Sequence, residues 1–247
     1  MGFLGENNLQ IYDQQADGWW DPSSYYFKSL QAITPYRLRQ IRNWFGELSN
    51  TLIVDIGCGG GLISLPLIHE GAKVIAFDIS IPSLRAALNQ LTSTKISQTD
   101  RLHNRKGLFC SADARSIPLP DRCADFVVVA DVLDHISDYE RVIQEGERIL
   151  KPGGRMYLNT INRTFLSWLL AIKVAETIRL VPKGTHLHSL FIKPSEIEKI
   201  ASNLDLSVEQ FSGERPAIFK TAKNWAIHFE KSKSLALAYS VLLKKRL

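Results

Sequence analysis

The segment TLIVDIGCGGGL, residues 51–62, constrains this chain more than any other stretch. It reads as a buried strand that runs straight into Gly57, Gly59 and Gly61, and the apolar residues of the following ISLPLIHEG recur at helical spacing. Glycines at such a junction let the backbone turn sharply and let a ligand approach the amides with no side chain in the way. A strand–turn–helix unit of this kind belongs in a sheet covered on both faces, whose strands arrive in parallel after helical crossovers. The chain supplies the partners. KVIAFDIS (73–80), GLFCSAD (107–113), DFVVVAD (125–131) and RMYLNTI (155–161) read as strands, and PSLRAALNQL and YERVIQEGERIL as helices between them. LSVEQF and LALAYSVLL add two late strands, so the pattern predicts an α/β fold with a seven-stranded, mostly parallel sheet and helices on both faces.

With 247 residues, 45% of them hydrophobic, the chain has enough apolar surface for one large core. Residues 1–50 hold helical patterns around WWDPSSYY, too short to bury a core of their own, and are expected to cap the sheet. Residues 51–247 are then the sheet domain, with an apolar insertion over about 163–193, and the polar, irregular residues 92–106 read as an exposed loop. No run of eighteen apolar residues is free of charge, and MGFLGENNLQ lacks the basic-then-apolar order of a signal peptide, so the expected location is cytoplasmic. Cys58, Cys110 and Cys123 are odd in number, lack a CxxC spacing and read as small buried hydrophobes, so neither a disulfide frame nor a zinc site is suggested. From Arg215 to Leu247 there are eight Lys or Arg against one acidic residue, Glu230. No nucleic-acid recognition motif accompanies this excess, so nucleic acid is not expected as a partner; anionic lipid headgroups and plain solvation of the face both stay open. Nothing in the sequence sets an oligomeric state.

Asp78 closes the second strand about twenty residues after the glycine turn, where an acid receives the ribose hydroxyls of a nucleotide-type cofactor. The turn reads G-C-G-G-G-L, not GxGxxG, and Asp55 stands two residues before its first glycine. A carboxylate there repels a pyrophosphate and suits a cationic ligand, such as the amino group of a methionine moiety. Asp113, just after the third strand, is placed to accept from an adenine amine. S-adenosylmethionine fits this set, and a dinucleotide is the alternative. Taken in order, DIGCGGG, Asp78, Asp113 and LKPGGRMYL (150–158) resemble the class I, Rossmann-like methyltransferases.

VADVLDHIS (129–137) follows the fourth strand with Asp131, Asp134 and His135. On a helix these positions share a face, and the three polar groups would converge at the carboxyl edge of the sheet, where open sheets bind ligands. His135 is a candidate general base, and Asp131 and Asp134 either hold its imidazole or join it as ligands of a hard divalent cation such as Mg. The plainer alternative makes one aspartate a helix cap and His135 a surface residue. His186 and His188, in THLH, point together only on extended backbone and make a weak case for metal. Trp19, Trp20 and Tyr25 either form a lid or staple the N-terminal helices to the sheet. His69, His103 and His228 belong to no constellation and read as surface residues.

WWD (19–21), ITPYRL (33–38), VDIGCGGGL, DVLDH, TINRTFLSWLLA (160–171), VPKGTH (181–186) and FIKP (191–194) resemble the ubiquinone biosynthesis O-methyltransferase family over residues 19–194. The resemblance implies methyl transfer from S-adenosylmethionine to a phenolic hydroxyl of a polyprenylated catechol or quinol, with a divalent cation in some members. Carried over by position, it implies cofactor contacts at Arg37, Gly57, Asp78 and Ala130, and it lays Asp131, Asp134 and His135 on the family's Glu-x-x-Glu-His stretch. Both glutamates are aspartates here, one methylene shorter, Ala130 stands where a larger residue is usual, and the likeness fades after about residue 205. A methyltransferase for another phenolic or lipid acceptor, or an inactive methyltransferase-like membrane assembly protein, is the alternative. Within RTFLSWLLAIKVAETIRLV (163–181), Lys173, Glu176 and Arg179 rule out a clean membrane span. The residues alone favour a core helix. The polyprenylated substrate implied by the resemblance brings in an equal reading, an amphipathic helix lying on the inner face of the membrane with Phe165 and Trp168 inserted.

Overall fold

A computed structural model describes residues 10–93 and 107–247, so most of the stretch expected as an exposed loop, with His103, lies outside the described residues. Five strands come first: β1 (Leu52–Ile56), β2 (Lys73–Asp78), β3 (Gly107–Ser111), β4 (Ala124–Val129) and β5 (Leu150–Ile161). With β6 (Leu206–Pro216), β7 (Phe229–Ser232) and β8 (Ala238–Lys245) they make one sheet in the order β3-β2-β1-β4-β5-β8-β6-β7. The first five pair in parallel, and β8, β6 and β7 pair antiparallel. The sheet therefore has eight strands, not the expected seven. The addition is β7, whose FEKS carries a single apolar residue and pairs with the end of β6 as a charged edge.

The helices are α1 (Gln10–Gln14), α2 (Lys28–Phe45), α3 (Ser64–His69), α4 (Ile81–Ser93), α5 (Tyr139–Ile149), α6 (Pro194–Asn203) and α7 (Ile218–Asn224). Strand side chains alternate between faces, and the core divides accordingly. Ile53 and Val74 pack with Ile41 and Phe45 of α2 and Leu65 of α3 on one face; Val54, Val127 and Leu158 pack with Ile143 of α5 and Ile197 of α6 on the other. Each such side chain contributes roughly 1.5–3 kcal/mol by leaving water. Asp125 ties the start of the sheet together, accepting from the Leu52 amide at 2.8 Å and from Lys151 Nζ at 2.6 Å. Because β2 and β3 lie on one side of β1 and β4 and β5 on the other, a crevice opens above the carboxyl ends of β1 and β4.

Two further expectations are corrected. The insertion is helical, α-helical over Phe165–Ser167, π-helical over Trp168–Val174 and α-helical again over Ala175–Thr177, but of these only Ser167 and Ala175 are buried. Phe165 is 74% exposed, so this is no core helix: the two faces of the sheet are already covered by α2 and α3 and by α5 and α6. No helix among the described residues is long and apolar enough to cross a membrane. Cys58 is buried and Cys123 partly so, whereas Cys110 is exposed, because β3 is an edge strand with one side open.

Arg37 of α2 is buried, 3% of its side chain exposed, and joins both halves of the sheet. Its Nε and Nη2 donate to the two oxygens of Asp131, just past β4, at 2.8 and 2.7 Å, and its Nη1 donates to Glu214 of β6 at 2.9 Å. Burial alone would favour the neutral guanidine, but the two carboxylates hold the Arg37 pKa well above its ordinary value. Removing the cation would leave Glu214 as an uncompensated buried charge. Arg37→Met is therefore expected to lower the free energy of unfolding by about 3–5 kcal/mol in urea titration, and a loss below about 1 kcal/mol would contradict this account.

Candidate active site

Two cavities meet in the crevice. The larger, about 350 Å³, is lined by Asp55, Gly57, Gly59, Asp78, Asp113 and Ala130, six of the eight residues expected at a cofactor. Gly57 has φ +76°, and a Cβ on it would come within 2.2 Å of Val132 Cγ2, so only glycine lets the turn pass under that side chain. Gly61 and Arg37 do not line this cavity. A Cβ on Gly61 would sit 3.0 Å from Ala87 Cβ of α4, which makes its task the packing of the turn. Arg37 meets the cavity only through Asp131, which lines it.

The carboxylate of Asp78 accepts from the amides of Gly59 at 2.7 Å and Ser80 at 2.8 Å, clamping the glycine turn to the end of β2. Burial raises its pKa against these bonds, and four lone-pair positions leave room for hydroxyls of a ligand. Asp55 accepts from Ser64 Oγ, and burial, with help from Asp78 and against the Ser64 bond, pushes its carboxyl up to about 7. Asp113 is gripped by Arg115, whose Nη2 lies at 2.7 Å, and these hydrogen bonds hold its carboxyl below the usual range.

Trp19 also lines the larger cavity: its Nε1 donates to Ser83 Oγ at 2.8 Å and its ring stacks on Phe27 with centroids 4.1 Å apart. Trp20 Nε1 donates to the Gly60 carbonyl at 2.9 Å and Tyr25 to the Val181 carbonyl at 3.0 Å. Trp20 thus ties the N-terminal segment to the glycine turn, Trp19 ties it to α4 and walls the cavity as well, and Tyr25 ties it to the end of the insertion.

The smaller cavity, about 130 Å³, is lined by Arg37, Asp131, Asp134, His135 and His186 together with the apolar Ile33, Val181 and Phe229. Tyr12, Leu30, Asp131 and His135 line both cavities and form the partition. Asp134 and His135 are buried, so neither is the surface group of the plainer alternative.

The triplet does not share a helical face. Asp131 has a left-handed backbone, φ +57°, and the chain then makes only a short 3₁₀ turn, Leu133–His135. Both oxygens of Asp131 are taken by Arg37, and Asn159 Nδ2 adds a donor at 2.9 Å. The triplet expected to hold Mg is thus divided: Arg37 and Asn159 occupy three of the acceptor positions of Asp131. Among the described residues, no group of three or more His, Cys, Asp or Glu side chains is arranged to hold a metal ion. What Asp134 faces instead is a pair of imidazoles, His135 Nε2 at 3.9 Å and His186 Nε2 at 3.7 Å from its Oδ2.

Tyr12 is the site residue that sequence reasoning passed over, and His186, weighed there only as a weak metal ligand, lies beside Asp134 and His135. Burial pulls the His186 pKa down to about 4, against Asp134 and with His135, so its ring is neutral at physiological pH. The Tyr12 hydroxyl lies 3.4 Å from His135 Nε2, and burial, then Asp134, raises its pKa. His188 turns away to the Thr164 carbonyl at 3.1 Å, so THLH makes no histidine pair. The signal for His186 was its place at the end of VPKGTH; Tyr12 had none, since only the folding of α1 brings it over the crevice.

An Asp55 carboxyl that meets the amino group of the cofactor would tie affinity to pH. Below about 7 it holds a proton that a cationic ligand must expel, so affinity for S-adenosylmethionine is expected to fall as pH drops from 7 to 5.5, by up to about tenfold per unit. Isothermal calorimetry checks this, with Asp55→Asn expected to abolish the slope; a dissociation constant independent of pH in that window is the contrary result.

A methyltransferase domain family matches residues 54–158. The ubiquinone biosynthesis O-methyltransferase of Nitrosomonas europaea is 38% identical over 199 residues, 80% of this chain and 81% of that one, and its counterpart in Idiomarina loihiensis is 34% identical over 232 residues, 93% and 89%. Among solved structures, magnesium protoporphyrin IX methyltransferase of Synechocystis PCC 6803 with bound SAH superposes at a TM-score of 0.67, covering 96% of this chain and 95% of that one at 18% identity, a likeness of fold. With the class I methyltransferase fold in place and close relatives matched over most of its length, the chain belongs to the ubiquinone biosynthesis O-methyltransferase family.

Proposed function

We propose that the protein transfers a methyl group from S-adenosylmethionine to a phenolic oxygen of a polyprenylated catechol or quinol in ubiquinone-type biosynthesis. The observation that carries this reading is the meeting of two unlike cavities at His135: one walled by the glycine turn and lined by Asp55, Asp78 and Asp113, the other lined by Ile33, Val181 and Phe229 together with Asp134 and His186. When bound, S-adenosylmethionine supplies a methyl group on a sulfonium sulfur. In the larger cavity the Asp78 carboxylate receives the ribose hydroxyls, Asp113 and Asp55 face the adenine and amino groups, and Gly57, Gly59 and Ala130 leave space for the ligand.

A phenol with a pKa of about 10 is a poor nucleophile until it loses its proton. His135 takes that proton, and Asp134, 3.9 Å from Nε2, stabilises the imidazolium that forms. Tyr12 at 3.4 Å helps to hold the ring. The phenolate oxygen bonds to the methyl carbon as the sulfur–carbon bond breaks, and the proton leaves with His135. Asp131 acts at one remove: locked by Arg37, it shapes the partition. His135→Ala is expected to reduce kcat by about 10²–10⁴ in a methyl-transfer assay while the calorimetric affinity for S-adenosylmethionine stays within about twofold. Equal losses in both would count against a base at this position.

The same reading places the protein in the cytoplasm with peripheral contact on the inner face of the membrane, where a polyprenylated substrate resides. Exposed Phe165 and Leu166 of the insertion and Phe219 of α7, the last 91% exposed, support it, with Lys173, Lys220 and Lys223 beside them to meet anionic headgroups. Lys244, Lys245 and Arg215 of the basic segment are instead paired with Glu209, Glu147 and Glu230. Co-sedimentation with phosphatidylglycerol vesicles is expected, weakened about tenfold or more by Phe165→Asp with Phe219→Asp. Indifference to anionic lipid would refute the contact.

A further inference from the structure

The partition between the two cavities is not built from the sheet edge alone. Tyr12, one of the residues that line both, is carried by the short helix α1. Gln10 and Asp13 of the same helix line the larger cavity and Ile11 the smaller, so α1 lies along the seam where the two meet. None of its residues is fully buried, and Tyr12 packs on Ala16, Trp19 and Phe27 of its own N-terminal segment instead of on the core of the sheet.

What fixes Tyr12 is a set of contacts that runs to the wall of the larger cavity on one side and to His135 on the other. Its carbonyl accepts from Ser83 Oγ at 3.4 Å; Ser83 Oγ accepts from Trp19 Nε1 and from Ser80 Oγ, both at 2.8 Å; and the Ser80 amide donates to Asp78 at 2.8 Å. Its ring stacks on Trp19 with centroids 6.1 Å apart, and Trp19 lies so close on the glycine turn that a Cβ on Gly60 would come within 2.3 Å of it. Toward the smaller cavity the Tyr12 hydroxyl is 3.4 Å from His135 Nε2, and the two rings meet edge-on at 6.0 Å. A ligand of either cavity therefore sits against the same side chain.

A cofactor in a cavity of about 350 Å³ is largely enclosed. Of the walls around it, α1 has the least anchorage in the core, so it is the element that gives way for entry and is ordered again once the cavity is filled. Ordering Tyr12 costs conformational entropy, and whichever ligand binds first meets that cost, so the second finds the partition already in place.

We propose that Tyr12 is a positioning residue that couples the two cavities: α1 closes over bound cofactor, Tyr12 then completes the partition beside His135, and the acceptor binds the cofactor-loaded protein in preference to the empty one. The inference rests on the O-methyltransferase reading above. It adds an order to that reading, cofactor before acceptor, and names the side chain that imposes it.

The test measures binding on the full chain by isothermal calorimetry, with S-adenosylhomocysteine as the cofactor probe and a short-chain alkyl catechol as the acceptor probe. S-adenosylhomocysteine is expected to tighten catechol binding by about tenfold or more, and the catechol to tighten S-adenosylhomocysteine by the same factor, because coupling is reciprocal. Tyr12→Ala should bring the factor to about twofold or less in both directions, and Tyr12→Phe, which keeps the ring against Trp19 and His135, should retain part of it. A second readout needs no variant: exchange of the α1 amides should slow by about tenfold or more when S-adenosylhomocysteine is bound. Wild-type protein that transfers methyl to the catechol yet shows no coupling, a Tyr12→Ala protein that keeps the full factor, or α1 amides that exchange alike with and without S-adenosylhomocysteine would overturn the inference and leave the O-methyltransferase reading intact. Wild-type protein that binds neither probe would end that reading and this inference with it.

Discussion

One buried guanidinium sets the rest of the site. Arg37, carried in by α2, lies between Asp131 beyond β4 and Glu214 of β6, so a single cation joins the parallel and antiparallel parts of the sheet. Three buried or half-buried charges stand or fall together, because loss of any one leaves another unpaired in low dielectric. The clamp also decides local geometry. With its carboxylate turned to Arg37, Asp131 takes a left-handed backbone, the chain beyond it turns back on itself, and Asp134 and His135 come to line the smaller cavity. Glu214 in turn accepts from Ser240 Oγ, which carries the same network onto β8.

The two cavities differ in the way the chemistry requires. A sulfonium cation and a phenolate react to give neutral products, so the transition state carries less charge separation than its reactants and gains from an apolar, water-excluding wall on the acceptor side. Ile33, Val181 and Phe229 supply apolar lining there beside Asp131 and Asp134, while Asp55, Asp78 and Asp113 line the larger cavity. Desolvation acts on both sides with opposite sign. It pushes the Asp55 carboxyl up to about 7, where a cationic ligand can tip it into the ionised form, and pulls the His186 imidazole down to about 4, where it stays neutral.

Much of the architecture was legible because it rests on local pattern. The runs LIVDI, KVIAFD and ADFVVV are too apolar for any place but a buried strand, and α3, α4 and α5 follow them at the expected spacings. The glycine turn and Asp78 were legible for the same reason, since strand end and helix start fix both. FEKS was not, because a short charged strand exists only where another strand offers its edge. The insertion misled in the opposite direction: its apolar composition reads as core, but burial depends on what lies above the helix, and nothing in residues 163–181 records that the sheet faces are already covered.

At the site, the sequence by itself determined which chemistry was available: an acidic, glycine-lined crevice at the end of β1, and aspartates and a histidine just past β4. Tertiary structure alone decided how those groups divide. It spent Asp131 on Arg37, 94 residues away, brought His186 and Tyr12 to Asp134 and His135 from distant parts of the chain, and moved Arg37 off the cofactor wall. The reason is physical. Backbone periodicity is written within a few neighbouring residues, whereas the partner of a buried charge is chosen by whichever opposite charge the completed fold leaves within reach, and that choice has no local signature.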